Sequence, residues 1–257
     1  MSSDIDSVKR DVAIANRILD EVGLATGIRA SSGHASMRIP SDPSKFIVKG
    51  RGYKVDSLAK MRAEDMVICD LEGYKVDGPP NVTQCREVKM HSCVYRARPD
   101  VQAIVHVHPP YTIVMSLLQA TLVPVCNEGA FLVQKTLPVY PRWRTVWTEE
   151  DGAEVARVMG NSKALILFGH GATTAGNSLG EAVTNMLSLE EQAKMNYLLY
   201  CAAGPKYPRI PEELVNEKGN RPHKLWELPH FKGVWPKGES LSGGVYDYYV
   251  DLVSKDL

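Results

Sequence analysis

The sequence predicts one layered α/β domain, with helices packed on a central sheet. Three observations carry this. Helical and strand patterns alternate as α, several β, α, β, α, β, α, with few hairpins, an order that suits a layered α/β core. The 257 residues are 44% hydrophobic and 23% charged, an ordinary composition for one sizeable core. No internal repeat and no low-complexity segment interrupts the chain. The whole chain, 1–257, therefore reads as a single domain, with 204–257 a Pro-, Gly- and aromatic-rich C-terminal extension.

Each element has a local signal. Over residues 5–22, Ile5, Val8, Val12, Ala15, Leu19 and Val22 fall three or four apart, the period of an amphipathic helix, and Gly23 and Gly27 stop it. "ASSGHASMRIP" is a small-residue turn entering a strand at Ala35–Ile39, and "KFIVKGRG" is a strand ending in a glycine-flanked loop. "DMVICDLEGYKVDG" reads as a hairpin turning at Leu71–Gly73. Residues 83–98 have helical spacing at Val88, His91 and Tyr95, and Pro99-Asp100 ends them. "VQAIVHVH" is a strand stopped by Pro109-Pro110, and 111–119 form another helix. "TLVPV" and "LPVYP" are short extended pieces. "TEEDGAEVARVMG" is a helix capped by Thr148, with Glu149–Asp151 in its first turn. "KALILFGHGATTAG" is strand, glycine-rich turn, strand. The longest helix is 178–203, capped by Ser178, and 204–245 meander without periodicity.

Bulk properties exclude several classes. Thirty basic residues balance thirty acidic ones, so nothing favours nucleic acid. The most apolar run, Ile113 to Cys126, is broken by Gln119 and Pro124 and is too short to span a bilayer. The N-terminus lacks a signal-peptide core. The five cysteines are scattered and form no C-x-x-C pair, which points to a reducing compartment. The expectation is a cytoplasmic protein that binds neither nucleic acid nor membrane. G-x-S-x-G, Walker and strand-borne G-x-G-x-x-G motifs are absent.

Chemistry enters at "AIVHVHPPY". Residues i and i+2 of a strand share a face, so His106 and His108 stand together with Val107 opposite. Two imidazoles on one face can hold one divalent cation, since metal–nitrogen distances are about 2.0–2.1 Å. The prolines place the pair at a strand end. Alone, the pair reads equally as two unrelated histidines. His170, between glycines in "LFGHGATTAG", and Glu87, in the helix before the H-x-H strand, strengthen the metal reading. Three neutral imidazoles and a carboxylate suit a zinc-type ion and leave positions for two substrate oxygens. For Glu87 alone, a solvated surface carboxylate remains the competing reading, as it does for Glu190 and Glu191.

Glu87, nineteen residues before His106, then H-x-H, then a distant "GHG", resembles the signature of the class II aldolase/adducin-like family. The resemblance covers nearly all of 8–203, including "SGHASMR", "REVKMHSCVYRARPDVQAIVHVHPP" and "FGHGATTAGNSLGEAV". It implies a three-layer α/β/α fold with a central mixed, largely antiparallel sheet. It implies that His106, His108 and His170 bind one divalent metal ion per subunit, with Glu87 as ligand, acid/base or both. It also implies a homotetramer with sites at subunit interfaces.

The departures from the family are informative. Where its sugar-phosphate aldolases carry an asparagine, this chain has His34; where they carry a hydroxyl-rich phosphate cradle, it has "KGRG", Lys49 to Gly52, and Cys85-Arg86. Asn127 and Glu128 fall where those aldolases use a tyrosine acid. Lys49, Arg51, Arg86 and a protonated His34 would suit a carboxylate-bearing substrate, since guanidinium pairs carboxylate bidentately. Lys49 and Arg51 could equally be a solvated basic loop, and His34 a turn histidine. The histidine form of the first motif resembles the family's decarboxylase branch, which acts on hydroxylated aromatic or pyridine carboxylic acids.

The expected activity is therefore that of a metal-dependent lyase, foremost a non-oxidative decarboxylase of a hydroxy-substituted aromatic acid. An aldolase acting on a hydroxy-keto acid or sugar phosphate is the first alternative, and a non-catalytic adducin-like scaffold the second. The expected substrate-binding residues are Ser32, His34, Lys49, Arg51, Arg86 and Glu128. The ion would be Zn²⁺ or Mn²⁺, with Fe²⁺ or Co²⁺ also suited. His91, four residues after Glu87, would orient it or bond the backbone; Cys85 could gain a lowered pKa from Arg86. Trp226, Trp235, Tyr246, Tyr248 and Tyr249 would cover a neighbour's site or pack on their own subunit.

Overall fold

In the computed structural model, which describes residues 2–234 and 243–255, a nine-stranded sheet is flanked by helices on both faces. The helices are α1 (Ser2–Glu21), α2 (Val88–Ala97), α3 (Pro110–Leu117), α4 (Glu149–Met159), α5 (Leu179–Ala203), α6 (Glu212–Gly219) and α7 (Gly243–Val253). The strands are β1 (His34–Ile39), β2 (Asp42–Arg51), β3 (Met66–Asp70), β4 (Lys75–Asp77), β5 (Thr83–Gln84), β6 (Ala103–Val107), β7 (Val139–Tyr140), β8 (Ala164–Leu167) and β9 (Gly171–Gly176). Their order is β4-β3-β2-β1-β6-β9-β8-β7, with β5 on β2. Only the β7–β8 pair is parallel. The sheet is thus mixed and largely antiparallel, as expected.

The period of two sorts side chains into two cores. Ala103, Val105 and Val107 of β6 join α1, α3 and α5 on one face. Ile104 of the same strand joins α2 and α4 on the other. His106 lies in register with His34 of β1 and Thr173 of β9, at the centre of the sheet.

The hairpin expected at β3–β4 and the strand–turn–strand expected at β8–β9 both form, and β1–β2 adds a further antiparallel pair of sequence neighbours. Several local expectations are corrected. The helix expected over 83–98 begins at Val88, because Thr83 and Gln84 pair with Arg51 and Gly50 instead. "TLVPV" forms no strand; the amide side chains of Asn196 and Gln192 satisfy Val123 and Val125. The tail is less irregular than expected, since α6 and α7 form within it. Tyr246 and Tyr249 pack on the α1–α5 core of their own subunit, Tyr248 is exposed, and Trp235 lies outside the described residues. Among the described residues, no helix is long and apolar enough to cross a membrane.

Glu190 is not solvated. Its carboxylate accepts from Tyr111 N at 2.8 Å, Thr112 N at 2.9 Å and Thr112 Oγ1 at 2.8 Å. It thereby caps the first turn of α3 across 78–79 residues of sequence and anchors the chain just after the H-x-H prolines. Glu190→Ala should cost about 1–2 kcal/mol and lower the melting temperature by a few degrees, roughly 2–4 °C per kcal/mol at this size. A melt unchanged within error would show that the cap is energetically idle.

Candidate metal centre

The site forms where three strand ends and one helix start converge. Glu87 is the N-cap residue of α2, His106 lies within β6, His108 just beyond it, and His170 in the turn between β8 and β9. One ligand atom from each of these four residues lies within 4.8 Å of the others. The three imidazoles form a triangle with ring centroids 4.7–5.2 Å apart. Two glycines permit this. A Cβ at Gly171 would collide with Val107 O and lie 3.0 Å from His108 Cδ2. Gly33, at φ +111°, would drive a Cβ to 2.7 Å from Val107 Cγ1 and 2.8 Å from His106 O.

The donor set fits a divalent ion. His106 Nδ1 lies 3.0 Å from Ala172 O, so it carries the proton and donates. That leaves the Nε2 lone pair facing Glu87 Oε2 at 3.1 Å, with no hydrogen bond closing the pair. Two lone pairs this close repel unless a cation is shared between them. His170 Nδ1 is likewise buried without a partner, and its Nε2 lies 3.8 Å from Glu87 Oε1. Glu87 Oε1 also accepts from Val146 N at 3.0 Å, which fixes the carboxylate.

Burial lowers His170 to about 4 and His108 to about 3, and neighbouring imidazoles add to the effect. Such rings are neutral near pH 7, the form that ligates metal. Burial alone would raise Glu87, but the imidazoles of His106 and His34 outweigh it and hold the carboxyl well below the usual range. Every one of these shifts destabilises the fold on acidification. The unfolded histidines bind protons from about pH 6.5 downward while the folded ones resist until about 4. The metal-free protein should therefore lose thermal stability progressively as pH falls from 6.5 towards 4. Added Zn²⁺ should raise the melting temperature near pH 7 and lose that effect over the same range. A metal-free melt flat over this window would contradict the neutral assignment.

A cavity of about 150 Å³ is lined by Glu87, His108 and His170 of the cluster, and also by Ser32, His34, Lys49, Arg51, Cys85 and Arg86. A larger cavity of about 410 Å³, near Phe168, is lined by no titratable side chain and lies off the site. His34 is buried and lowered to about 4, chiefly by that burial with Glu87 opposing it, so it brings no positive charge at neutral pH, contrary to the sequence expectation. Lys49 is 1% exposed and ion-paired to Asp56 Oδ1 at 2.6 Å. Arg51 reaches Asp56 Oδ2 at 3.1 Å and Ser31 O at 3.0 Å. Arg86 is exposed at the cavity wall and has no ion-pair partner among the described residues. Glu128 does not line the cavity; its carboxylate accepts from Asn127 Nδ2, on the surface.

Two further expectations change. Among the described residues His91 hydrogen-bonds neither Glu87 nor the backbone: it bonds His34 and Ser36. Cys85 is fully buried, and burial pushes its thiol well above the ordinary value. Ser36, which bonds His91, and Tyr95, which bonds Ser36, carried no sequence signal of a role at the site, because only the pairing of β1 with β6 and the packing of α2 bring them together.

Comparison with known proteins gives the family. Residues 10–197 match the Class II Aldolase and Adducin N-terminal domain, and the chain belongs to that family. It is 32% identical over 202 residues to 3,4-dihydroxyphthalate decarboxylase of Arthrobacter keyseri, covering 75% of this chain and 79% of that one. It is 30% identical to L-fuculose phosphate aldolase of Methanococcus maripaludis, covering 66% and 86%. The fold matches an aldolase II superfamily protein from Pseudomonas syringae at TM-score 0.79 and 18% identity, over 99% and 95% of the two chains. The relatives thus include both a decarboxylase and an aldolase.

Proposed function

We propose that the protein is a divalent-metal-dependent carbon–carbon lyase, and most concretely a non-oxidative decarboxylase of a hydroxy-substituted aromatic carboxylic acid. The observation that carries this is one cavity lined by Glu87, His108 and His170 of the four-residue cluster, whose fourth member His106 is fully buried, and by an unpaired guanidinium, Arg86. The 32% identity to a dihydroxyphthalate decarboxylase supports the same reading. The four cluster residues would hold Zn²⁺ or Mn²⁺, with Fe²⁺ or Co²⁺ also suited. A bound ion would supply Lewis acidity, withdrawing electron density from a chelated hydroxyl–carboxylate pair. Glu87 moves a proton to or from the reacting carbon. Arg86 pairs with the carboxylate that stays, while Lys49 and Arg51, held by Asp56, keep that wall positive. Ser32 and His34 border the same space.

The cavity is smaller than the roughly 300–1,000 Å³ of most ligand sites. A site completed by a neighbouring subunit, in a homotetramer, accounts for this, and Glu128, exposed on its loop, would then serve a neighbour if it serves any site. Arg86→Gln should raise KM for a diacid by roughly tenfold to a hundredfold, the worth of one charged hydrogen bond, with kcat little changed. Unchanged KM in steady-state assays would remove Arg86 from substrate binding.

An aldolase reading has support from the 30% identical fuculose phosphate aldolase, and Lys49, Arg51 and Arg86 also suit a phosphate. The deciding experiment supplies the metal-loaded protein with hydroxybenzoates and hydroxyphthalates, and separately with hydroxy-keto acids and sugar phosphates. Carbon dioxide release from the first set supports the decarboxylase; aldehyde release from the second alone overturns it. A non-catalytic adducin-like scaffold would show neither product and no bindable divalent metal by elemental analysis.

A further inference from the structure

A chain of four buried polar side chains, alternating between α2 and β1, runs from Tyr95 into the site. Tyr95 OH lies 2.8 Å from Ser36 Oγ, Ser36 Oγ lies 2.6 Å from His91 Nδ1, and His91 Nε2 lies 2.6 Å from His34 Nδ1. Tyr95, Ser36 and His91 are at most 1% exposed and His34 is 5% exposed, so water supplies no alternative partner to the inner three. His34 Nε2 then points at Glu87 Oε2 from 3.8 Å, too far for a hydrogen bond and near enough for a ligand atom to intervene.

Such a chain has two continuous polarities, and the neighbours choose between them, while Ser36 accepting from both sides would leave its own buried proton without a partner. Ser36 Oγ is the sole hydrogen-bond acceptor for the Tyr95 hydroxyl among the described residues. If Tyr95 donates to it, Ser36 donates to His91 Nδ1, His91 Nε2–H donates to His34 Nδ1, and His34 carries its proton on Nε2. Every donor and acceptor from Tyr95 OH to His34 Nδ1 is then used, and the remaining His34 N–H faces Glu87. In the opposite polarity the Tyr95 proton has no acceptor, and a bare His34 nitrogen faces a carboxylate. The second arrangement leaves one buried donor unsatisfied and sets two acceptors against each other.

We infer that His91, braced by Ser36 and Tyr95, is a positioning residue that locks His34 in the Nε2–H tautomer, so that the cavity is offered a neutral hydrogen-bond donor beside Glu87 for an anionic oxygen of the substrate. The role for a substrate oxygen rests on the lyase reading above; the tautomer does not. Arg86 and His34 then differ in kind. One supplies charge from the exposed wall, the other a directed donor from the buried one.

The test is long-range ¹H–¹⁵N correlation spectroscopy of the histidines in the full chain, metal-free and loaded with Zn²⁺. Wild type should show His34 and His91 both protonated at Nε2 and bare at Nδ1. His34 protonated at Nδ1 and bare at Nε2 overturns the inference, whatever reaction the protein performs. His91→Leu should release the lock, giving mixed tautomers at His34 and a tenfold to hundredfold fall in kcat/KM for the acid that wild type turns over fastest, with bound zinc unchanged. His91→Gln, whose amide can donate to His34 and accept from Ser36, should restore most of both. Equal spectra and rates for the Leu and Gln variants, with zinc and melting temperature retained, would mean that His91 only fills space. If His91→Leu does not fold, Ser36→Ala provides the same spectral comparison, with loss of the single His34 tautomer expected and an unchanged spectrum counting against the brace. A wild-type spectrum as expected, with no substrate turned over, would leave the tautomer standing and sink the lyase reading.

Discussion

Glu87→Gln is expected to retain its metal and lose turnover. Gln keeps the shape and an oxygen to accept from Val146 N, so the carboxamide can stay in place. It cannot take up a proton, and general acid–base catalysis is worth about 10²–10⁴-fold. The fall in kcat should therefore be at least about a hundredfold, with metal content by elemental analysis near wild type. Near-full activity would remove the acid/base role. Loss of metal together with activity would instead make Glu87 chiefly a ligand, and the two measurements separate these cases.

The second large effect is expected at His106. His106→Ala removes the imidazole with its Nδ1 committed to Ala172 O and its Nε2 turned on Glu87, the most buried member of the cluster. Divalent metal should drop far below one ion per subunit, and activity should fall further than the roughly 10–100-fold seen when a group that merely supports a ligand is lost. The fold should survive, because β6 is held by main-chain pairing to both β1 and β9. A variant that binds metal as wild type does would exclude His106 from the site. Glu87 should also become a costly orphan in this variant, so added Zn²⁺ should no longer raise the melting temperature.

Much of this site was legible because its signals are local. H-x-H on a strand needs only a period of two to put both rings on one face, and Val107 does face the opposite core from Ile104. His170 was marked by flanking glycines, and Gly171 is indeed the point where the β9 backbone meets Val107 and His108. Glu87 was placed by its helix, although that helix starts later than its periodicity suggested, which puts the carboxylate at the N-cap instead of on a helix face.

Charge assignments were less legible, since charge depends on what stands opposite. Lys49 and Arg51 read as free cations, but Asp56 pairs with both, and removing that partner from a buried lysine would cost about 3–5 kcal/mol. His34 read either as a protonated site residue or as a turn histidine, and burial lowers it to about 4. Glu190 read as solvated, but it caps α3 from a helix some eighty residues away in sequence. Glu128 read as a site residue on alignment alone, and it lies outside the cavity.

The sequence by itself determined the layered α/β class, the identity of the four candidate ligands and the likeness to a metal-dependent family. Each follows from short-range periodicity or from residues quoted in order. Only the tertiary structure decided which cation stays unpaired, what His91 touches and which way His34 presents its proton. Those depend on strand register and on neighbours distant in the chain, and a buried polar group takes its charge and its tautomer from the partners that replace water.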